Sequence, residues 1–469
     1  MVNATDHRIR YAVLVLAALV LTAAAGLRGA EHDEQYTLFL TAGMPRPDWP
    51  STVFPAGVVA QAQAGRATLG GIAHDLRNTD VHPPLYFWAV SFWRFVFGPS
   101  LLAARMFSVL CGVASIALVG AIARRFAVRP VVAMLLTLGC YGFVYTNAVA
   151  RGFALAETMT LCGVVLLLGR RRLLAGLCLG AACCSNYLAV FPAAAIILAD
   201  GAWTAIPAAV PFLALDAWLF SAQHAARDGQ FPQFDLWPAL VRLTGYQVAS
   251  VFGGLPRYVD GSWHIAVEVG VALSAIALLV AIIRSRPWRA HRKILAAAAA
   301  PPVGLLLLGA VFDNTPIELR YLSFGLPFVA LLAAASLKHR LLALTGGVQV
   351  AAIVGLLLSP RTMQPARGAA AEAARLAGTA VVLLPAGNDG VGIVGAFGIE
   401  APPTLPVLLI RPADPIADRI APYQRVALAP LAVDRESTAA VAAARGVLVP
   451  PTWRRITIGS NLEVYQRGE

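Results

Sequence analysis

Charged side chains are scarce in this sequence. Only 13% of its 469 residues are Asp, Glu, Lys or Arg, whereas 58% are hydrophobic, and the mean hydropathy is +0.69. A soluble domain carries about 25% charged residues. A chain this poor in charge would leave too much apolar surface in water. The composition therefore excludes an ordinary soluble protein and predicts a polytopic α-helical membrane protein.

Recognisable cysteine motifs are missing as well. Neither a C-x-x-C spacing nor a Cys/His cluster occurs, so the sequence gives no sign of a zinc site or of a disulfide framework. We expect the cysteines to be small apolar fillers. All of them lie inside apolar runs: Cys111, Cys140, Cys162, Cys178, Cys183 and Cys184.

Acidic residues are also outnumbered by basic ones, which gives a formal net charge of +12. This excess does not predict nucleic-acid binding, because the arginines cluster in short tracts between apolar runs. Such tracts are typical of the cytoplasmic loops of membrane proteins. The tracts are Arg8 with Arg10, Arg124 with Arg125 and Arg129, Arg170 to Arg172, residues 284–293 and residues 338–340.

The apolar runs predict about eleven transmembrane helices, since a helix needs about 20 residues to cross a bilayer. We interpret the first run as a retained helix and not as a signal peptide. If the arginine tracts face the cytoplasm, the chain divides into a membrane module (1–358) and an outer domain (359–469). The membrane module includes two outer loops, 29–102 and 223–263. The predicted spans lie near 11–28, 103–123, 130–148, 152–169, 173–186, 188–201, 203–222, 264–283, 294–312, 320–337 and 341–358.

The tail differs in kind from the rest of the chain. A helical stretch (369–378) and short β-like runs between Pro- and Gly-rich turns predict a small α/β domain outside the membrane. GVGIVG (390–395) fits G-x-G-x-x-G after a strand. Pro402 and Pro403 leave little room for the helix that a dinucleotide site needs, so we expect a glycine turn there. The β-like runs are 379–386, 405–410, 425–431 and 456–467.

Two stretches of the first outer loop carry titratable groups close to apolar segments. AEHDEQYTLFL places Asp33 and Glu34 just beyond the first helix, and NTDVHPPLYFW places Asp80 and His82 before two prolines. A solvated helix end and an exposed turn are the plain alternatives. Acids at the membrane surface are costly unless they pair or act, and prolines serve as the first turn of a helix. We expect both stretches to contribute to an active site that faces away from the cytoplasm.

In their order along the chain, these and three further segments resemble the GT-C superfamily of membrane glycosyltransferases. The most similar branch contains protein O-mannosyltransferases and lipid A aminoarabinose or galacturonic acid transferases. The chain departs from the pattern of that branch at Asn147 and Asn186, where an acidic residue and a histidine are common. The resemblance covers about residues 8 to 360. The further segments are YTNAVARGFALAETMTL (145–161), CSNYLAVF (184–191) and IELRYLSFGLPFVALLAA (317–334).

The resemblance implies an enzyme that moves one sugar from a polyprenyl-phosphate carrier to an acceptor on the outer face of the membrane, usually with inversion. It implies a catalytic acid at Asp33, with Glu34 beside it. His82 takes the place before the two prolines, and Arg320 and Tyr321 take the place of an Arg-Tyr pair. The polyprenyl-phosphate sugar is then a donor substrate, and a divalent cation is the one cofactor left open.

The chemistry assigns roles to these residues. Asp33 would act as general base on an acceptor hydroxyl that attacks the anomeric carbon. Arg320 would grip the departing phosphate with two hydrogen bonds, and this depends on its sharing a lipid-lined chamber with Asp33. Arg151 is a second phosphate ligand, and its alternative is snorkelling to the interface. His82 would bind the phosphate or the acceptor.

Further roles remain open at three places. Glu34, Asp80 and His82 are candidate ligands of a divalent cation. Asp313 and Glu318 are expected to pair with Arg320. The aromatic middle of loop 223–263 would either guide a lipid tail or form a packed lid. Their residue types alone do not decide among these alternatives.

Two other classes of function compete with the enzyme. A lipid or saccharide transporter usually shows internal repeats and charges at mid-membrane, and neither is evident here. A non-catalytic envelope scaffold is the third interpretation. The alanine- and arginine-rich composition favours a GC-rich bacterium. We therefore expect a multi-pass protein of the bacterial cytoplasmic membrane, whose site and C-terminal domain face the periplasm or exterior. Its partners would be the bilayer, the lipid-linked sugar and a glycan, lipid or protein acceptor, with no nucleic acid.

Overall fold

A computed structural model describes residues 4–223, 231–254, 263–286, 288–358, 366–376, 378–456 and 459–468. The chain forms two compact units. The first unit comprises the described parts of residues 1–27, 76–86 and 105–359. The second unit comprises the described parts of residues 28–75, 87–104 and 360–469.

Helices dominate the chain up to residue 358, and strands alternate with helices after it. In order, the elements of the first part are α1 (Ala4–Leu27), α2 (His32–Ala42), β1 (Phe54–Pro55), α3 (Gly57–Gln63), α4 (Leu69–Thr79), α5 (Leu85–Phe97), α6 (Leu101–Arg125), α7 (Pro130–Gly139), α8 (Tyr141–Asn147), α9 (Phe153–Leu168), α10 (Arg172–Cys183), α11 (Val190–Asp200), α12 (Ile206–Gln223), α13 (Leu236–Phe252), α14 (Trp263–Ser285), α15 (Trp288–Phe312), α16 (Leu326–Ser336) and α17 (His339–Leu358). Those of the second part are α18 (Ala366–Ala374), β2 (Val381–Pro385), α19 (Gly392–Glu400), β3 (Pro406–Ile410), α20 (Ile416–Ile420), β4 (Arg425–Leu428), α21 (Arg435–Val447), β5 (Trp453–Ile456) and β6 (Glu463–Arg467).

The described residues contain 7 helices that are long and apolar enough to cross a membrane, which agrees with the predicted polytopic membrane protein. Helices α7 and α8 form an eighth candidate that is bent by 72°. All eleven predicted segments contain helix, but those near 152–169, 173–186 and 188–201 fall below the 18-residue length. The count of eleven spans is therefore not confirmed.

The apolar faces of the long helices are oriented in two ways. One set of side chains, including Leu21, Ile116 and Phe143, is fully buried in a common core. Another set points outward, and on α14 the side chains of Ile265, Leu273 and Ile276 remain 57–68% exposed. Such extended apolar exposure is unfavourable in water and natural in lipid.

Close packing of α10 against α12 shapes the interior of the first unit. A Cβ added at Gly176 would lie 1.9 Å from the carbonyl oxygen of Ala205, the residue before α12, and one added at Gly180 would lie 3.0 Å from the Ala209 Cα in α12. These two glycines are one helical turn apart on α10, so they form a strip of small residues that lets the second helix approach closely. The C-terminal end of α10 is fixed as well, because the Leu85 N–H at the start of α5 donates to the Cys184 carbonyl oxygen at 2.9 Å.

The second unit contains a six-stranded sheet, among the described residues, in the order β1-β3-β2-β4-β6-β5. Strand β2 is parallel to both β3 and β4, whereas β1, β5 and β6 pair antiparallel with their neighbours. In the described part of the tail, helices and strands alternate along the chain. The division differs from the predicted one, because edge strand β1 and most of the first outer loop belong to the same compact unit as the tail.

The glycine-rich stretch after β2 forms a helix, so the expectation of a plain glycine turn is wrong. Helix α19 begins at Gly392 and ends at Glu400, which fits before the two prolines. Its glycines serve close packing. A Cβ at Gly395 would lie 2.7 Å from the Gln35 side chain, and one at Gly398 would lie 2.4 Å from the Val59 side chain.

Candidate active site

A polar cluster lies between the end of α4 and the start of α9 in the first unit. The His82 ring places Nδ1 2.9 Å from the Asp80 Oδ1 and Nε2 2.9 Å from the Arg151 Nη2. Arginine can only donate, so His82 Nε2 accepts from Arg151 and Nδ1–H donates to Asp80. The structure therefore brings Arg151 against the Asp80–His82 stretch, from which it is far apart in the sequence.

The electrostatics of this cluster favour a fixed carboxylate and a fixed cation. Burial acts to raise the pKa of the Asp80 carboxyl. The neighbouring His82 and Arg151 and the hydrogen bond from the Val81 N–H outweigh that effect and hold the pKa well below its usual range. Arg151 is 5% exposed, and its buried Nη1 has no hydrogen-bond partner among the described residues. Arg151 is thus held rigidly with donor capacity left over, which argues against simple snorkelling.

His82 also lines a cavity of about 480 Å³ in the first unit. Most of the wall is apolar and comes from α9 and the elements that follow it, with Phe153, Phe191 and Phe312 among its side chains. Cavities of this size with few polar groups are the usual form of small-molecule sites. The polar lining residues, apart from cysteine, are His82, Asn186, Tyr187, Asp216, Gln223, Asn314 and Tyr321.

The end of α12 holds the His82 segment in place. The amide nitrogen of Gln223 donates to the carbonyl oxygens of Leu76 at 2.9 Å and His82 at 3.2 Å. The Tyr187 hydroxyl donates to the Gln223 Oε1 at 2.8 Å. His82, directly before the two prolines, is therefore held both through its ring, by Asp80 and Arg151, and through its backbone carbonyl, by Gln223.

Arg320 and Tyr321 lie in a 3-10 helix (Leu319–Gly325) that leads into α16. Arg320 forms the expected ion pair with Glu318 at 2.6 Å and lies over the Tyr321 ring at 5.5 Å. The Tyr321 ring stacks on Phe153 and lines the cavity. Asp313 has a different contact from the one expected, since its carboxylate accepts a long hydrogen bond of 3.4 Å from the Phe234 N–H.

Asp33 and Glu34 lie in the second unit, in the first turn of α2. Glu34 is fully buried and its Oε2 accepts from the Glu31 N–H at 3.1 Å, which completes a capping box at the start of the helix. Asp33 is half-buried. Glu34 therefore has a clear structural role, whereas Asp33 remains the stronger catalytic candidate of the two. The shared chamber of Asp33 and Arg320 stays a prediction.

A divalent-cation site receives no support from the structure. In the part of the chain that the structure describes, no group of three or more His, Cys, Asp or Glu side chains could hold a metal ion. Both ring nitrogens of His82 are engaged, one with Asp80 and the other with Arg151. Binding of a metal to His82 would first have to break one of these contacts.

A known crystal structure is similar to this fold over nearly the whole chain. The crystal structure of ArnT from Cupriavidus metallidurans bound to undecaprenyl phosphate matches with a TM-score of 0.53 and 12% identity, over 99% of this chain and 98% of that one. The chain therefore shares the fold of that ArnT. The identity is too low to establish more than the fold, and the predicted resemblance is confirmed at that level.

Two further structures show a weaker likeness to this chain. One is the same ArnT in the apo state, with a TM-score of 0.44 and 13% identity over 99% of this chain and 98% of that one. The other is an Archaeoglobus fulgidus oligosaccharyltransferase tethered with an acceptor peptide, with a TM-score of 0.39 and 14% identity over 84% of this chain and 59% of that one. The fold assignment rests on the lipid-bound ArnT alone. No protein-family model and no curated protein matches the sequence.

Sequence reasoning missed one group in the cavity wall that carried a readable signal. Asp216 is the lone acid of the predicted span 203–222, and an ionisable residue inside an apolar span is a functional candidate by default. Gln223 carried no comparable signal, because its role depends on contacts with carbonyl groups far away in the chain.

Proposed function

We propose that this protein is an inverting glycosyltransferase that moves one sugar from a polyprenyl-phosphate carrier to an acceptor hydroxyl on the outer face of the bacterial cytoplasmic membrane. The observation that supports this most directly is the largely apolar cavity lined by His82, with Arg151 against that histidine. An apolar chamber suits an isoprenoid chain, and a buried guanidinium with an unused N–H suits a phosphate. The GT-C fold and the undecaprenyl phosphate bound to ArnT add to this support.

In the proposed reaction, Asp33 removes the proton of the acceptor hydroxyl as its oxygen attacks the anomeric carbon of the donor sugar. The bond between that carbon and the phosphate oxygen breaks, and the polyprenyl phosphate leaves with the electron pair. The proton stays on the Asp33 carboxylate until solvent removes it. Negative charge grows on the departing phosphate, so the cations Arg151 and Arg320 would stabilise the transition state more than the ground state.

The test is the substitution Asp33→Asn in the full chain reconstituted in lipid nanodiscs. Mass spectrometry of envelope lipids and glycans from cells with and without the gene first identifies the transferred sugar by its added mass. The variant should keep donor binding and lose turnover by roughly 10²- to 10⁴-fold, the usual contribution of a general base. Asp48→Asn is the matched control, because Asp48 is an exposed carboxylate of the same loop.

The outcomes separate the competing classes. Unchanged turnover in Asp33→Asn would remove Asp33 from the mechanism. Loss of lipid or saccharide flux without any new covalent product would favour a transporter. Envelope glycans and lipids that are identical with and without the gene would favour a scaffold and refute the enzyme.

A further inference from the structure

Asp216 occupies one wall of the cavity in the first unit. Leu213, Asp216, Ala217 and Phe220 of α12 all line it, and their spacing places them on one face of the helix. The same face ends at Gln223, two turns further on, at a rise of about 10 Å. Asp216 therefore faces the same space that His82 lines.

The carboxylate of Asp216 is not satisfied by the protein around it. The residue is 7% exposed, and neither oxygen has a hydrogen-bond partner from an N–H or O–H group among the described residues. The thiol of Cys184 is its polar neighbour, and thiols are weak donors. A buried carboxyl group without donors is costly, so a ligand that supplies donors to it would bind favourably.

The surroundings of Asp216 indicate what kind of ligand would fit. Aromatic rings adjoin the cavity in an edge-to-face chain, with the Tyr187 and Phe220 centroids 5.7 Å apart and those of Phe220 and Phe312 6.1 Å apart. The buried Oδ1 of Asn314 also has no partner in the described part of the chain. Acceptor oxygens beside apolar rings suit a group with hydroxyl donors and C–H faces, which is the surface of a sugar ring.

The other parts of the proposed donor do not fit this position. An isoprenoid chain has no donor to offer the carboxylate. The phosphate diester of the donor carries only acceptor oxygens, so it offers no hydrogen-bond donor to the Asp216 oxygens. The sugar is covalently attached to the phosphate, so a phosphate near His82 brings the sugar within reach of the same cavity wall.

We propose that Asp216 is a specificity residue for the donor sugar, and that its carboxylate accepts a hydrogen bond from a sugar hydroxyl of the lipid-linked donor. This inference rests on the proposed function and adds the part of the cavity that distinguishes one sugar from another. A site built to hydrogen-bond a hydroxyl rejects an analogue without it, because the protein group is then left unpaired.

The test compares bare and glycosylated carriers on the full chain in nanodiscs, with binding measured by native mass spectrometry. The probes are undecaprenyl phosphate and synthetic undecaprenyl phosphates that carry a hexose, a pentose or a uronic acid. Asp216→Asn keeps the shape of the side chain and removes its charge. Ser221→Ala is the control, because Ser221 is an exposed residue of the same helix whose hydroxyl bonds the Trp218 carbonyl oxygen.

The wild type should prefer one glycosylated carrier to the bare carrier. In Asp216→Asn, binding of that glycosylated carrier should weaken roughly 10- to 100-fold, while binding of bare undecaprenyl phosphate stays unchanged. In turnover assays the donor KM should rise much more than kcat falls, as expected for an interaction present before the transition state. Asp216→Glu, which keeps the charge and moves it, should alter the order of preference among the sugars.

Four outcomes would overturn the inference. Equal weakening for both carriers would indicate a role in the fold or in phosphate binding, and thermal unfolding would distinguish these two. No change for either carrier would exclude a sugar contact. A rise in the acceptor KM alone would place the acceptor at Asp216. If the wild type binds no carrier at all, the proposed function itself fails, which is distinct from a failure confined to Asp216.

Discussion

Replacement of Arg151 by glutamine tests whether the buried cation serves the phosphate of the carrier. In the structure its Nη2 donates to His82 at 2.9 Å, and its buried Nη1 has no hydrogen-bond partner among the described residues. A hydrogen bond to a charged group contributes about 1.5–3 kcal/mol, and each 1.4 kcal/mol is tenfold in affinity. Arg151→Gln should therefore weaken binding of undecaprenyl phosphate by roughly 10- to 150-fold.

The assay is native mass spectrometry of the full chain in nanodiscs, titrated with undecaprenyl phosphate. Arg151→Lys keeps the charge and loses the planar fork, so it should bind with intermediate affinity. Arg172→Gln removes an exposed arginine and should leave binding unchanged. Thermal unfolding of each variant separates a loss of the fold from a loss of the ligand contact, because Arg151 also neighbours the buried Asp80 carboxylate.

Undiminished binding of undecaprenyl phosphate in Arg151→Gln would refute this reasoning. In that case the guanidinium would act only as a structural partner of His82. The phosphate would then have to be bound elsewhere, and Arg320→Gln would be the next variant to measure. A loss in Arg151→Gln that Arg151→Lys fully restores would show that charge matters and that the bidentate geometry does not.

Two further predictions concern the second unit. Burial lowers the pKa of His32 from 6.5 to about 4, against the opposing effect of Asp434, so the unfolded chain takes up a proton before the folded chain as the pH falls. The free energy of unfolding should keep its full value above about pH 6.5 and fall by about 3 kcal/mol as the pH is lowered to 4. Thermal unfolding measured over this pH range should show a smaller loss of stability in His32→Gln than in the wild type. Glu34→Ala should lower the free energy of unfolding by about 1 kcal/mol, because the capping box is lost. Glu34→Gln keeps a side-chain acceptor for the capping box, so it should preserve both stability and turnover. Loss of turnover in a stable Glu34→Gln variant would show that Glu34 is catalytic.

Apolar run lengths made the helical part of this fold predictable, because each run had to become a helix in lipid. The bend between α7 and α8 was not predictable. Cys140 adopts extended dihedrals there, and although Gly139 and Gly142 flank it, single glycines are also frequent inside membrane helices and do not mark a break. The two-residue strand Phe54–Pro55 is also too short for a periodic signal, so the pairing of the first loop with the tail could not be inferred.

Residue types in the candidate site were predictable where a charge stood near an apolar segment, as at Asp80, His82 and Arg151. Their mutual contact was not, because Arg151 and His82 are 69 residues apart and no local pattern encodes a contact at that separation. For Glu34, the sequence position could not distinguish a catalytic role from a structural one. Its position in the first turn of a helix was compatible with catalysis, but the same position allows the capping box that the structure contains.

Helix α12 contributes to both proposed parts of the donor site, the His82 segment near the phosphate and Asp216 near the sugar. Its end fixes the His82 segment through Gln223, and Asp216 faces the cavity two turns earlier on the same helix. Close packing at Gly180 of α10 positions α12, and Gln223 at the end of α12 anchors the His82 segment. Asp216 and His82 therefore keep a fixed separation. With the phosphate held at one position, a sugar would bind well only if one of its hydroxyl groups lies within hydrogen-bond distance of Asp216. A mobile loop could not hold the carboxyl group at such a constant distance from the phosphate.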